Sequence, residues 1–157
     1  MPGSHERFVR FAGGSLAVGG ALAAFLNLVL TPLLPIDQGS VALYTSTAIV
    51  IRLPLAAVSI ALTSLGCAGL YLAQAHRLRF GAGAFLLAGA GGFMTFAAEC
   101  VQFTLVRDLA FAAPDTWLEL ERSGALERYD VAFAVAVGTF AVGWIAVAIV
   151  TLRAAVL

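Results

Sequence analysis

The sequence predicts an all-α membrane protein whose four transmembrane helices form an antiparallel bundle. Hydrophobic residues make up 61% of the 157 residues and charged residues only 11%, against roughly 25% charged in an average soluble domain. The chain contains four apolar stretches of about 20 residues or more, the length of helix that crosses a bilayer. Because backbone polar groups in lipid must be satisfied within their own segment, such stretches form helices.

The same composition excludes several other classes of protein. A mean hydropathy of +0.97 leaves too few polar side chains to cover a soluble fold of this size. It also excludes a disordered chain, collagen, a disulfide scaffold and a nucleic-acid binder. We therefore expect one transmembrane domain over residues 1–157, with the lipid bilayer as its surroundings.

Four spans are predicted, at residues 8–34, 54–74, 82–106 and 131–152. The first has some features of a cleaved signal peptide, with Arg7 and Arg10 before the apolar run and Ala21–Ala23 within it. Its apolar run exceeds the roughly 7–15 residues of a signal peptide's hydrophobic region. We therefore expect a retained first helix.

Pro54 is predicted to begin the second span. Proline lacks the backbone N–H and disfavours helix in the residue before it, but it suits the first turn of a helix. The preceding residues, 40–52, contain a polar run at positions 44–47. They are predicted to form a short helix or turn along the membrane interface.

A second short helix is predicted in the polar connection after the third span. Residues 116–119 have the form of a capping box, and Ser123-Gly124 provides a typical helix end. A plain loop anchored by a tryptophan is the alternative. The apolar side chains expected to face the lipid headgroups are Trp117, Leu118 and Leu120.

The arginines predict the orientation of the bundle. Arg77 and Arg79 lie in the short connection between the second and third spans, on the same side as both termini. Cytoplasmic loops of membrane proteins are enriched in such basic residues. We expect both termini in the cytoplasm, the acidic connection outside, and a multi-pass location in the bacterial inner (plasma) membrane.

Small residues recur at four-residue spacing along three spans. Such spacing lets helix backbones approach closely. It fits packing within one chain and equally a homodimer face. The stripes are Ser15, Gly19, Ala23 and Asn27; Ala84, Ala88 and Gly92; Ala134 and Gly138; and Thr139 and Gly143.

Glu99 is the ionisable residue that lies well inside a predicted span. At about 1.5 Å rise per residue it lies roughly 7–8 Å from the midplane, in the outer half. A lone charge there costs several kcal/mol, so the carboxyl must be protonated, paired or hydrated. Thr95 and Gln102 share its helix face.

Similar depths place Asn27 of the first span and Ser59 of the second near Glu99. Arg52 is the nearest candidate partner for its charge. We hypothesise a polar pocket in the outer leaflet, with Glu99 as the central or catalytic group. The predicted substrate-binding residues are Asn27, Arg52, Ser59, Thr95 and Gln102. In the structural alternative, Glu99 bonds to Asn27 or a backbone carbonyl and fixes the helix register.

No metal or cofactor is expected. The only histidines, His5 and His76, lie outside the span cores, so they cannot hold a haem between helices. Cys67 and Cys100 differ in depth by roughly 13 Å, whereas a disulfide needs Cα atoms within about 7 Å. We expect these cysteines not to pair.

The segment Leu65–Gln74, the short arginine loop and the glycine-rich third span resemble a loose group of uncharacterised four-helix integral membrane proteins of GC-rich bacteria. The resemblance implies four helices, an interfacial segment before the second and an acidic outer loop after the third. It implies no activity.

The expected function is binding of a lipophilic small molecule or lipid at the Glu99 pocket. If chemistry follows binding, protonated Glu99 would serve as a general acid. Two alternatives stay open. One is an accessory or scaffold subunit of a larger membrane complex, and the other is a dimeric proton-coupled transporter.

Overall fold

The computed structural model describes residues 4–74 and 81–156, and every regular element within them is a helix. Four helices are long and apolar enough to cross a membrane. The predicted all-α class with four such helices is therefore confirmed. Arg77 and Arg79, on which the predicted orientation depends, lie outside the described residues.

The first span is one helical rod with a change of winding near its end. Helix α1, Ser4–Phe25, continues into a π-helical turn at Leu26–Leu30 and a 3₁₀ turn at Thr31–Leu33. The wider turn closes at Thr31, whose backbone N–H and side-chain hydroxyl both donate to the Leu26 carbonyl. A further 3₁₀ turn then leads to Gly39, whose φ of 91° is costly for other residues.

The prediction that the second span begins at Pro54 is wrong. Helix α2 covers only Ser40–Thr45, and helix α3 runs without a break from Thr47 to Gln74 with Pro54 inside it. Extended Ser46 separates the two helices, and its hydroxyl accepts the Ile49 N–H at 3.2 Å. A serine cap therefore starts α3, and a proline inside a membrane-type helix is tolerated.

The third span is also longer than predicted. Helix α4, Ala82–Val101, leads through a π-helical turn at Gln102–Val106 into helix α5, Arg107–Ala112. Together they form one apolar rod of 31 residues. The predicted end at residue 106 is the end of the π-helical turn, beyond which the chain stays helical.

The connection to the last span does contain a short helix, but the capping box predicted its start incorrectly. Helix α6 covers Pro114–Arg122, with proline in the first turn where its missing N–H costs nothing. The predicted cap, Thr116, lies inside the helix. Gly124 at φ 73° ends it as expected, and helix α7 then covers Glu127–Val156.

The long helices pack as two pairs joined in the middle. Helix α1 packs along α3, α4 packs along α7, and α3 packs against α4. Over the described part of the chain, α1 and α7 form no comparable contact with each other. The bundle is therefore open along one side, between its first and last long helices.

Most of the predicted small-residue stripes pack inside the chain. Gly19 lies against Ser59 and Thr63 of α3, and Gly143 lies against the backbone of Ala88 in α4. These contacts favour the interpretation of packing within one chain. Ala134 and Gly138 are different, because both are exposed on α7.

Trp117 is buried, with 4% of its surface exposed, so the prediction that it faces the headgroups is wrong. Its ring packs edge-on against Tyr44 of α2, with centroids 5.4 Å apart, and its indole N–H donates to the Ser40 hydroxyl at 2.9 Å. That hydroxyl donates in turn to Glu121 at 2.8 Å. Leu118 packs on the same cluster. Burial raises the pKa of Tyr44 to about 12, so its hydroxyl stays neutral.

Candidate functional site

A cleft of about 400 Å³ lies on the open side of the bundle, between α1 and α7. Helix α3 forms its floor and α4 contributes Glu99. Most of its walls are apolar, and its polar groups are few. It is lined by Leu16, Gly20, Ala23, Leu26, Asn27, Arg52, Ala56, Ser59, Ile60, Thr63, Glu99, Phe140 and Trp144.

Glu99 is the most unusual group in this cleft. Only 5% of its surface is exposed, and its Oε2 atom is fully buried with no hydrogen-bond partner among the described residues. Buried polar atoms in proteins almost always have a partner, because an unmet one costs about 1–3 kcal/mol. The unpartnered oxygen therefore calls for an explanation.

Arg52 reaches the same cleft because α3 starts earlier than predicted. With the helix beginning at Thr47, Arg52 lies in its second turn and its Nε donates to the Thr31 hydroxyl at 3.3 Å. Arg52 and Glu99 therefore line the same cleft. Both side chains belong to the described residues, and they form no ion pair within 4.0 Å.

Asn27 and Ser59 line the cleft as well, and each donates a hydrogen bond to a backbone carbonyl. The Asn27 amide donates to the Ala23 carbonyl one turn earlier, at 2.8 Å. The Ser59 hydroxyl donates across to the Gly19 carbonyl at 2.9 Å and so ties α3 to α1. Glu99 makes no hydrogen bond to Asn27, so it does not fix the helix register through that residue.

Thr95 and Gln102 do not line the cleft, although both are buried. The Thr95 hydroxyl donates to the Gly91 carbonyl of its own helix at 2.8 Å. Four of the six predicted site residues therefore lie around one cleft, and two do not. Depth alone could not separate these cases, because it does not specify which neighbour a helix face meets.

Both π-helical turns occur beside this polar group of residues. Asn27 lies within the first, and Gln102, three residues after Glu99, begins the second. Single π-helical turns within α-helices are frequent at functional sites. Leu26 and Asn27 of the first turn line the cleft, whereas the second turn begins three residues beyond Glu99 and contributes no lining residue.

Most of the apolar wall was not predicted from the sequence. Phe140 and Trp144 are one turn apart on α7, and Leu16, Gly20, Ala23 and Asn27 fall on one face of the first helical rod. The helical spacing of the α1 residues was a usable signal. The position of α7 beside them was not visible without the tertiary structure.

Other chemistry-bearing residues do not add to the site. In the described ranges no three His, Cys, Asp or Glu side chains cluster to hold a metal ion. Cys67 and Cys100 are both free, and neither lines the cleft. No family model, curated protein or solved structure matches this chain.

Proposed function

We propose that this protein binds a lipophilic small molecule or lipid in the cleft between α1 and α7. The observation that carries the proposal is Glu99, a buried residue that lines an otherwise mainly apolar cleft and whose Oε2 atom has no hydrogen-bond partner among the described residues. Ligand sites are typically apolar cavities with a few polar groups that orient the ligand. The volume, about 400 Å³, lies within the roughly 300–1,000 Å³ common for such sites.

The opening of the cleft supports a ligand that arrives from the bilayer. Helices α1 and α7 are both apolar enough to cross a membrane, and the cleft lies between them. An apolar molecule would therefore move sideways from lipid into the cleft without crossing water. Glu99 and Arg52 would hold its polar end, and Phe140 and Trp144 would contact its apolar part.

A glycine in the wall allows the cleft to be filled selectively. Gly20 lines the cleft, and a Cβ atom there meets no atom within 4 Å. We expect Gly20→Phe to leave folding intact and to reduce retained lipophilic ligand by about tenfold or more, which corresponds to about 1.4 kcal/mol. Native mass spectrometry of the protein released from mild detergent measures the retained ligand.

Gly13→Phe is the matched control. Gly13 is on the same helix, is equally open at its Cβ position, and does not line the cleft. The control should keep the ligand of the unsubstituted protein. Equal ligand content in all three proteins, or no ligand in any of them after reconstitution with bacterial lipids, would contradict the proposal. A stoichiometric protein partner that copurifies and covers the cleft would favour the subunit alternative.

We also propose that both termini are cytoplasmic and that the connection containing α6 is outside the inner membrane. In a variant whose Cys67 and Cys100 are replaced by alanine, Ser123→Cys should react in intact cells with a membrane-impermeant maleimide. A cysteine placed at Ala75 should react only after the cells are opened. The reverse pattern would show the opposite orientation.

A further inference from the structure

The hydrogen-bonding groups at the polar end of the cleft restrict the ligand's head group. Glu99 lines the cleft, and its buried Oε2 atom has no partner in the part of the chain that the structure describes. A guanidinium has five N–H donors, and one of those of Arg52, on Nε, is used by Thr31. No bond from its other nitrogens to a described residue is present. The lining of the cleft thus contains both a carboxyl group and a guanidinium with unused donors.

An ionised Glu99 and the Arg52 guanidinium would together exclude most ionic head groups. A carboxylate, sulfate or phosphate would be attracted by Arg52 but repelled by the ionised Glu99 carboxyl. An ammonium group would be repelled by Arg52. Within a poorly solvated cleft, a charge that is left incompletely paired is costly. A ligand that adds no charge to the site avoids both penalties.

From these contacts we infer that the ligand is a neutral amphiphile whose head is a hydroxyl group, an alcohol or phenol, on one apolar chain or ring system. A hydroxyl donates one hydrogen bond and accepts others, so it would donate to the Glu99 carboxyl and accept from the Arg52 guanidinium. This inference rests on the proposed function, because it specifies the class of molecule that occupies the same cleft. The limited volume, about 400 Å³, favours one apolar chain over the two of a phospholipid.

Four probes with the same alkyl chain separate the head-group chemistry. They are 1-hexadecanol, 1-methoxyhexadecane, hexadecyl sulfate and hexadecylamine. Each is added to the protein in phosphatidylcholine nanodiscs at about pH 7, where an alkylamine is cationic. Each competes for the cleft against a photoreactive analogue of hexadecanol, and the crosslinked fraction is measured. We expect hexadecanol to compete about tenfold better than each of the other three, a difference of about 1.4 kcal/mol.

Single substitutions should change the preference in opposite directions. Glu99→Gln removes the acidic group and keeps its shape, so hexadecyl sulfate should gain relative to hexadecanol. Arg52→Gln removes the positive charge, so hexadecylamine should gain instead. Thermal melting checks that both variants fold, and if either does not, the ranking of the four probes on the unsubstituted protein still tests the inference.

The outcomes distinguish this inference from the proposed function. If the sulfate, the amine or the ether competes as strongly as hexadecanol, the hydroxyl inference is overturned. Loss of crosslinking in Gly20→Phe would in that case still support binding in the cleft. If Gly20→Phe does not lower crosslinking of the photoreactive hexadecanol analogue, both the hydroxyl inference and the proposed function are overturned.

Discussion

Gly91→Ala is expected to destabilise the bundle by about 2–3 kcal/mol, because overpacking a close contact forces backbones to move apart. A Cβ atom on Gly91 would collide with the backbone of Phe140 in α7, where nothing flexible can yield. The same substitution should also displace Phe140, which forms part of the cleft wall. Thermal unfolding in detergent, together with the ligand content of the same samples, measures both effects.

Gly89→Ala provides the control for this prediction. Gly89 lies two residues earlier on α4, and a Cβ atom there meets nothing within 4 Å. Alanine is also the better helix former by about 1 kcal/mol, so this variant should be as stable as the unsubstituted protein or more so. Equal melting temperatures for Gly91→Ala and Gly89→Ala would contradict the prediction, because they would mean that α4 and α7 do not approach each other closely at Gly91.

Trp117→Ala is expected to cost about 3–5 kcal/mol, the range for removing a buried tryptophan. The ring fills the cluster in which α6 packs on α2 and α5, and its N–H donates to Ser40. Its loss should release α6 and the connection that follows. The expected readouts are a lower melting temperature and faster tryptic cleavage at Arg122, which is exposed.

Trp117→Phe isolates the hydrogen bond from the packing of the ring, and Phe111→Ala is the control. Trp117→Phe keeps an aromatic ring beside Tyr44 but loses the bond to Ser40, and should cost about 1 kcal/mol, the usual worth of a hydrogen bond. Phe111→Ala removes an aromatic residue from α5 that is 70% exposed, so it should change little. A Trp117→Ala protein as stable as Phe111→Ala would contradict the buried position of Trp117.

The candidate site was predicted only in part, and Arg52 and Glu99 show why. Glu99 stood out in the sequence because an ionisable residue inside an apolar span is expensive in lipid. Arg52 was placed at the interface because Pro54 was expected to start the helix. The structure starts α3 at a serine cap instead, and that difference carries Arg52 into the cleft.

Composition and hydropathy by themselves determined the helical class and the number of long apolar helices, because burial of backbone groups in an apolar medium leaves few alternatives. They also determined that Glu99 needs a special environment. Only the tertiary structure decided which faces meet, because small-residue spacing permits close approach without specifying the neighbour. The open side between α1 and α7, the placement of Thr95 and Gln102 away from the cleft, and the burial of Trp117 all result from contacts between segments distant in the chain.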